Sequence, residues 1–374
     1  MKKLVLVPIV VAFIAVFMFN TAAMNSADSF EDYENNISEK LSDIIDDETS
    51  EVLEYIGFED FSFNEIYNIS FEKISSFFSI TLKDKVTSVV KDFFEILCVV
   101  MLTGVVSTVY KSNSDDSFLT VICTLTVTLL IVTSVNDSIN AFVSTLQASG
   151  KFMIGFVPIY TLLISFSGNT ATALTYNTFA MFFAEVISSI ISIGAVDLIG
   201  IYFSLGISFS LNEGINVARF NSVVNKTVNI VLGFVSSAFT GFLSLKSILS
   251  VSVDRVSLRS VRYLIGSLIP VVGSSISEAY SSLLGSINLI KSSVAIVGIL
   301  VITIINTPII LEMLFYFVAL NMLGYIADSM LLGRTGDVLR VFSGGIRLLL
   351  LLCIFEMFII IVTIGIVLSA KNGG

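Results

Sequence analysis

The sequence predicts an all-α polytopic membrane protein. It is expected to have about eight transmembrane helices and two short Pro-containing segments in an inverted repeat, behind a small acidic helical extracytoplasmic segment. Three observations carry that expectation. Hydrophobic residues make up 55% of the 374 and charged residues only 13%, against about 25% charged in soluble chains. Apolar runs of about 20 residues, the length that crosses a bilayer, recur between Phe93 and Leu368. The acidity is local: residues 24–85 hold 16 Asp and Glu against 4 Lys and Arg, whereas residues 86–374 hold 14 of each. The net charge of −10 therefore belongs to one amino-terminal segment, and the rest is a neutral apolar body. No basic stripe suggests nucleic acid as a partner.

The first element, residues 1–23, reads as a signal peptide. Lys2 and Lys3 precede the apolar run Leu4–Phe19, and Thr21 and Ala23 stand at −3 and −1 of a small-residue cleavage position. Residues 24–92 follow as an acidic segment facing the extracytoplasmic side. Ile37, Leu41, Ile44 and Ile45, then Val52, Leu53, Ile56 and Phe58, recur at helical spacing. Asp46, Asp47 and Glu48 lie among them, forming either a solvated face or a docking surface. Residues 70–92 read as an amphipathic helix lying at the interface.

The body divides into four parts. Residues 93–149 carry two spans, Phe93–Tyr110 and Phe118–Val135, and an amphipathic connection. Residues 150–245 form a first membrane repeat and residues 262–374 a second. Residues 246–261 form a basic loop between them. The first repeat opens on the short Phe152–Ser167 and continues through Ala171–Ile193, Ala195–Leu211 and Val223–Leu245. The second opens on the short Leu264–Val272 and continues through Lys291–Ile305, Ile309–Ala327 and Ile346–Leu368, with a hairpin expected at Pro308. Both basic stretches, Lys246–Arg262 and Arg334–Arg347, are expected on the cytoplasmic side.

The repeat rests on Lys151-Phe-Met-Ile-Gly155-Phe-Val-Pro158 and Arg262-Tyr-Leu-Ile-Gly266-Ser-Leu-Ile-Pro270. A later match joins Val217-Ala-Arg219-Phe220 to Val338-Leu-Arg340-Val341-Phe342. Counting each short segment as re-entrant makes the copies opposite in orientation. Paired Gly/Pro-broken segments in inverted repeats point to a central transport site. The candidate cavity and hinge residues are thus Gly155, Pro158, Gly266 and Pro270, joined by Glu185 and Glu278, since carboxylates in apolar sequence are costly and line polar cavities. Two kinked helices packed through small residues, or a surface that docks a partner, would produce the same pattern. Glu312, Glu356 and Asp197 are further carboxylates in or near apolar runs.

No catalytic constellation is visible. The chain has no His, which removes His bases and His metal sites, and Cys98, Cys123 and Cys353 all lie in apolar runs. No GxxxxGK[ST] phosphate loop is present. No cofactor, metal or catalytic residue is assigned, and the protein is not expected to be an enzyme.

Several motifs resemble those of the stage III sporulation protein AE family of endospore-forming Firmicutes. They are Gly150-Lys-Phe-Met153 with Phe156-Val157-Pro158, Gly241-Phe-Leu-Ser-Leu-Lys246, and Asp254-Arg255 followed by Arg262-Tyr-Leu-Ile-Gly266. Ile269-Pro-Val-Val-Gly273-Ser-Ser-Ile-Ser-Glu278-Ala279 completes the set. The resemblance covers nearly the whole chain and is strongest from about 150 to 345. It implies a multi-pass protein in the mother-cell membrane around the forespore, working in a channel or secretion-like complex. The implied partners are membrane lipid and the other stage III A-operon proteins: membrane components, ring-forming components and a cytoplasmic ATPase. The alternative from the residues alone is a secondary transporter or permease with a cavity at the paired Gly/Pro segments.

Overall fold

The computed structural model describes residues 39–40, 43–45, 47–56, 71–109, 116–192, 195–211, 216–268 and 273–369. The expected signal peptide and Pro270 lie outside them. The described chain forms eight helices: α1 (Asp47–Ile56), α2 (Phe71–Val109), α3 (Asp116–Phe166), α4 (Thr170–Ser192), α5 (Ala195–Leu211), α6 (Val217–Leu268), α7 (Gly273–Ser329) and α8 (Gly333–Ser369). Four stretches are long and apolar enough to cross a membrane: Val121–Phe166, Val217–Val261, Leu284–Ser329 and Gly333–Leu368. This is half the number expected. The expected spans Lys291–Ile305 and Ile309–Ala327 join into one helix, whereas Ala171–Ile193 and Ala195–Leu211 correspond to the separate and shorter α4 and α5.

The joins fall where the sequence shows Pro or polar residues. Pro158 lies inside α3 and Pro308 inside α7. At Pro308 no hairpin forms. Proline there removes one bond, that to the carbonyl of Ile304. Next to it, Thr307 Oγ1 donates to the carbonyl of Thr303 at 2.6 Å and Asn306 Nδ2 to that of Ile302 at 3.0 Å. A buried helix accommodates proline when neighbouring groups take up the local polar demand. Residues 246–261 are likewise part of α6, so the expected loop is helical. At 57 residues, α7 is about 85 Å long.

Two helix hairpins have matching turns. At the α3–α4 turn, Gly168 has φ of 80° and the amide of Asn169 donates to the carbonyl of Ile164. At the α7–α8 turn, Leu331 has φ of 63° and the amide of Leu332 donates to the carbonyl of Ala327. Both are left-handed caps that answer the last carbonyls of a helix. Glycine fills the first at no steric cost, and the second forces a leucine into the same conformation.

Helix directions follow from contacts. Asn221 touches Arg340 and Gly344, and Phe183 packs on both Phe239 and Phe355, so α6 and α8 run parallel. Thr175 meets Ser250 and Phe183 meets Phe239, so α4 runs antiparallel to α6. Gly206 faces Val341 and Gly345 faces Phe203, so α5 is antiparallel to α8. Asn321 bonds Ser343 and Cys353 bonds Asn306, which makes α7 antiparallel to α8. Thus α4 and α5 together correspond to α7, and α6 corresponds to α8, each pair in the same sense. The two stretches matched in sequence therefore run in the same sense, and not in the opposite senses expected. The expected inversion came from counting three crossings per copy, whereas α4 and α5 share one direction and so do the two halves of α7. The same directions put Arg262 and Arg334 at opposite ends of the bundle, so the two basic stretches do not share a side.

The core gathers on α7. Val294, Ala295, Val301, Ile302, Met313 and Leu323 of this helix are fully enclosed. α7 packs against α2, α3, α6 and α8, with Ile45 and Leu53 of the amino-terminal segment adding to the same core. α6 is the opposite case. Ile230, Phe234, Leu245, Leu249 and Val256 stand open along its length.

Candidate functional site

Charged and amide groups inside an apolar bundle are expensive unless partnered. The places where this chain carries them therefore mark its specific chemistry. Most sit on α7 or touch it, and form a polar ladder along the most enclosed helix.

The first rung joins α2, α3 and α7. Lys85 Nζ donates to Glu312 Oε2 at 2.7 Å, and Ser138 Oγ donates to Glu312 Oε1 at 2.8 Å. Tyr316 OH donates to Asp92 Oδ2 at 2.5 Å. Lys85 and Asp92 are two turns apart on α2, and Glu312 and Tyr316 about one turn apart on α7, so each pair shares one face of its helix.

The second rung lies at Pro308. Asn306, fully buried, donates from Nδ2 to Ser149 Oγ at 3.1 Å and accepts at Oδ1 from Cys353 Sγ at 3.2 Å. Glu356 is one turn further along α8 and 3% exposed. Its carboxylate lies near Ser149 without a donor in hydrogen-bond geometry.

The third rung is a helix cap supplied from a distance. Asp254 of α6 is 2% exposed. Its Oδ1 accepts from the amide of Ala171 at 2.8 Å and its Oδ2 from the amide of Thr172 at 2.9 Å. The amino end of a helix carries unanswered N–H groups and partial positive charge, so a carboxylate suits it. The usual local cap is occupied otherwise: Asn169 Nδ2 donates back to Ser167 Oγ at 2.8 Å. Lys291 of α7, also buried, supplies a positive charge that acts on Asp254.

At the other end of the bundle Asn221 is a hub. Its Oδ1 accepts from Tyr202 OH at 2.6 Å and from Asn225 Nδ2 at 2.5 Å, and its own Nδ2 donates to the carbonyl of Arg340 at 2.7 Å. The Arg340 guanidinium pairs with Asp328 and with Asp337. Gly344 lets the Asn221 and Tyr202 side chains approach the α8 backbone, where any Cβ would collide with both.

The candidates named from sequence are not gathered in one place. Gly155 packs on Ile44 of the amino-terminal segment. Pro158 is inside α3, between the fully enclosed Val157 and Tyr160. Glu185 and Glu278 are exposed on α4 and α7. Gly266 lies in the last turn of α6. It is 12 residues past Asp254, which marks the level of the α3–α4 turn, and Gly155 precedes Gly168 of that turn by 13 residues along α3. At 1.5 Å per residue, the two glycines stand about 18 Å and about 20 Å to either side of the turn. The ladder residues Lys85, Asp254, Lys291, Asn306 and Asn221 had weaker signals. Lys291, a single cation among apolar residues, and Asn306, beside a proline, are the two that burial cost alone marks out.

The profile of the family described as stage III sporulation protein AE matches residues 57–371. The chain belongs to that family. It is also 22% identical over 171 residues to the stage III sporulation protein AE of Bacillus subtilis (strain 168), a match covering 46% of this chain and 43% of the relative. The chain thus spans less than half the length of the curated relative it matches. No solved structure matches. The resemblance carried by Asp254-Arg255 and the glycine-proline motifs is therefore that of a true family member. The protein is a sporulation protein whose apolar helices suit a membrane.

Proposed function

We propose that the protein is a non-enzymatic, multi-pass component of the mother-cell-to-forespore channel or secretion-like complex needed for late sporulation. It sits in the mother-cell membrane around the forespore, and its partners are the other stage III A-operon proteins. Family membership supports the sporulation setting. The observation that carries the component reading is α6. Its 45-residue apolar stretch is about 68 Å long, roughly twice the hydrocarbon core, and most of it is uncovered by the rest of the chain. A helix of that kind presents more apolar surface than lipid alone covers, and leaves room for other membrane proteins.

The test is affinity capture of the full-length protein from sporulating cells in mild detergent. Co-purification of the ring-forming components and the ATPase in fixed ratio supports the reading. Recovery of the protein alone, with solute uptake by proteoliposomes that contain nothing else, would favour the transporter alternative instead.

A further inference from the structure

Two helices that correspond in the repeat each carry a pair of basic residues seven apart: Arg219 and Lys226 on α6, Arg340 and Arg347 on α8. Seven residues is two turns, so each pair lies on one helix face about 10 Å apart. Because α6 and α8 run parallel and Asn221 bonds the carbonyl of Arg340, the pairs stand side by side in two tiers. In the outer tier Arg340 is answered by Asp328 and Asp337. Among the described residues no carboxylate pairs with the inner tier. Lys226 and Arg347 border a groove of about 360 Å³ whose other lining residues are Ser222, Asn225, Asn229 and Ile230. No carboxylate lines it. The Nε of Arg347 is buried without a hydrogen-bond partner, and so is Oδ1 of the buried Asn225.

We propose that this groove between α6 and α8 binds a phosphate-bearing anion, held by Arg347 and Lys226. Two cations, with Ser222 and Asn229 as neutral donors, match the charge and hydrogen-bonding capacity of phosphate, while Asn225, whose Nδ2 is spent on Asn221, offers an acceptor suited to a headgroup hydroxyl. A guanidinium presents a planar fork suited to two phosphate oxygens, and a buried unpartnered Nε supplies one of its donors. The position favours a phospholipid headgroup as the source. Lys226 precedes 19 residues without a charge, 227–245, before Lys246. Arg347 precedes the apolar run Leu348–Leu368, interrupted only by Glu356. Runs of about 20 residues match the hydrocarbon thickness, so on both helices the cation stands at the edge of an acyl-length stretch. Exposed Ile230 and Phe234, one turn apart just past Lys226, offer an apolar track for a chain leaving the groove. Basic pockets between membrane helices recognise anionic headgroups by this chemistry.

The experiment uses the purified full-length protein in dodecylmaltoside, with binding followed by thermophoresis and by melting temperature. One arm titrates phosphatidylglycerol in mixed micelles, a second inorganic phosphate, and a third phosphatidylcholine. Saturable binding of phosphatidylglycerol, weakened at least tenfold in Lys226→Gln and in Arg347→Gln, is expected. Arg347→Lys should lose less than Arg347→Gln, and the control Arg219→Gln should bind as the parent does. Lys226 is exposed, so Lys226→Gln folds even if the Arg347 variants do not. Phosphatidylglycerol binding without phosphate binding identifies the headgroup as the source, and equal competition by inorganic phosphate identifies a free anion at the same site. Binding that is the same in all variants, or absent in the first two arms, overturns the proposal.

Discussion

Replacing Asp254 with Ala should destabilise the protein by about 2–6 kcal/mol, the range for leaving two backbone donors without their partner at about 1–3 kcal/mol each. The size follows from what the carboxylate does. Its two oxygens take the amides of Ala171 and Thr172 at 2.8 and 2.9 Å, and the substitution leaves both donors enclosed and unanswered. An unmade buried hydrogen bond costs about 1–3 kcal/mol. Lys291, 4% exposed, would also lose the negative charge that acts on it. Asp254→Asn, which keeps the shape and one acceptor, should fall between the parent and Asp254→Ala. The double variant Asp254→Ala/Lys291→Met removes the orphaned cation. It should recover about 1–3 kcal/mol of the sum of the single effects, as neighbouring groups in one network do. Equilibrium unfolding of the purified protein by SDS titration in mixed micelles measures all four. An Asp254→Ala loss below about 0.5 kcal/mol, the level of an ordinary surface change, would refute the cap, and strictly additive single effects would refute its coupling to Lys291.

Three other outcomes follow from packing and turns. Leu331 is 90% exposed with positive φ, so Leu331→Gly should relieve strain and raise stability by about 0.5–1 kcal/mol in the same unfolding assay. Gly155→Leu should overpack the contact with Ile44 and cost about 1–3 kcal/mol, and Ile44→Ala should restore part of the loss. Lys85→Met should lower stability more than the double variant Lys85→Met/Glu312→Gln, because the single change leaves Glu312, largely enclosed and bonded to Ser138, without its cation.

Residue type made the class of fold legible, and residue pairing did not. Apolar content and run length announced a helical membrane protein, and the amphipathic spacing around Ile45 and Leu53 marked residues that do enter the core. The count of crossings per copy went astray at Pro308, inside α7, and between α4 and α5, which keep one direction. A proline in an apolar run reads as a break, but an enclosed helix with Thr307 and Asn306 bonding back onto its own carbonyls continues through it. That miscount carried forward into the orientation of the repeat, because two hairpin crossings keep direction and three reverse it. The segments matched at Arg219 and Arg340 lie on α6 and α8, which pack side by side and run parallel. The candidate cavity rested on distance between segments, which one-dimensional spacing cannot supply: Gly155 found a partner in Ile44, 111 residues before it. Asp254 was visible as a motif, while its role as the cap of α4 depends on a helix 82 residues earlier in the chain.

The central claim is that α7 is one continuous helix that runs through Pro308 without turning back. Single cysteines on either side of its apolar stretch, Ser282→Cys near its start and Leu331→Cys in the turn that follows it, test it in a background in which Cys98, Cys123 and Cys353 are replaced by Ala. Both positions are exposed. A membrane-impermeant maleimide is applied to intact cells and, separately, to inverted vesicles. One crossing predicts that each cysteine is labelled in only one preparation, and that the two preparations differ. Labelling of both cysteines in the same preparation would mean that the chain turns back at Pro308, and would contradict the account.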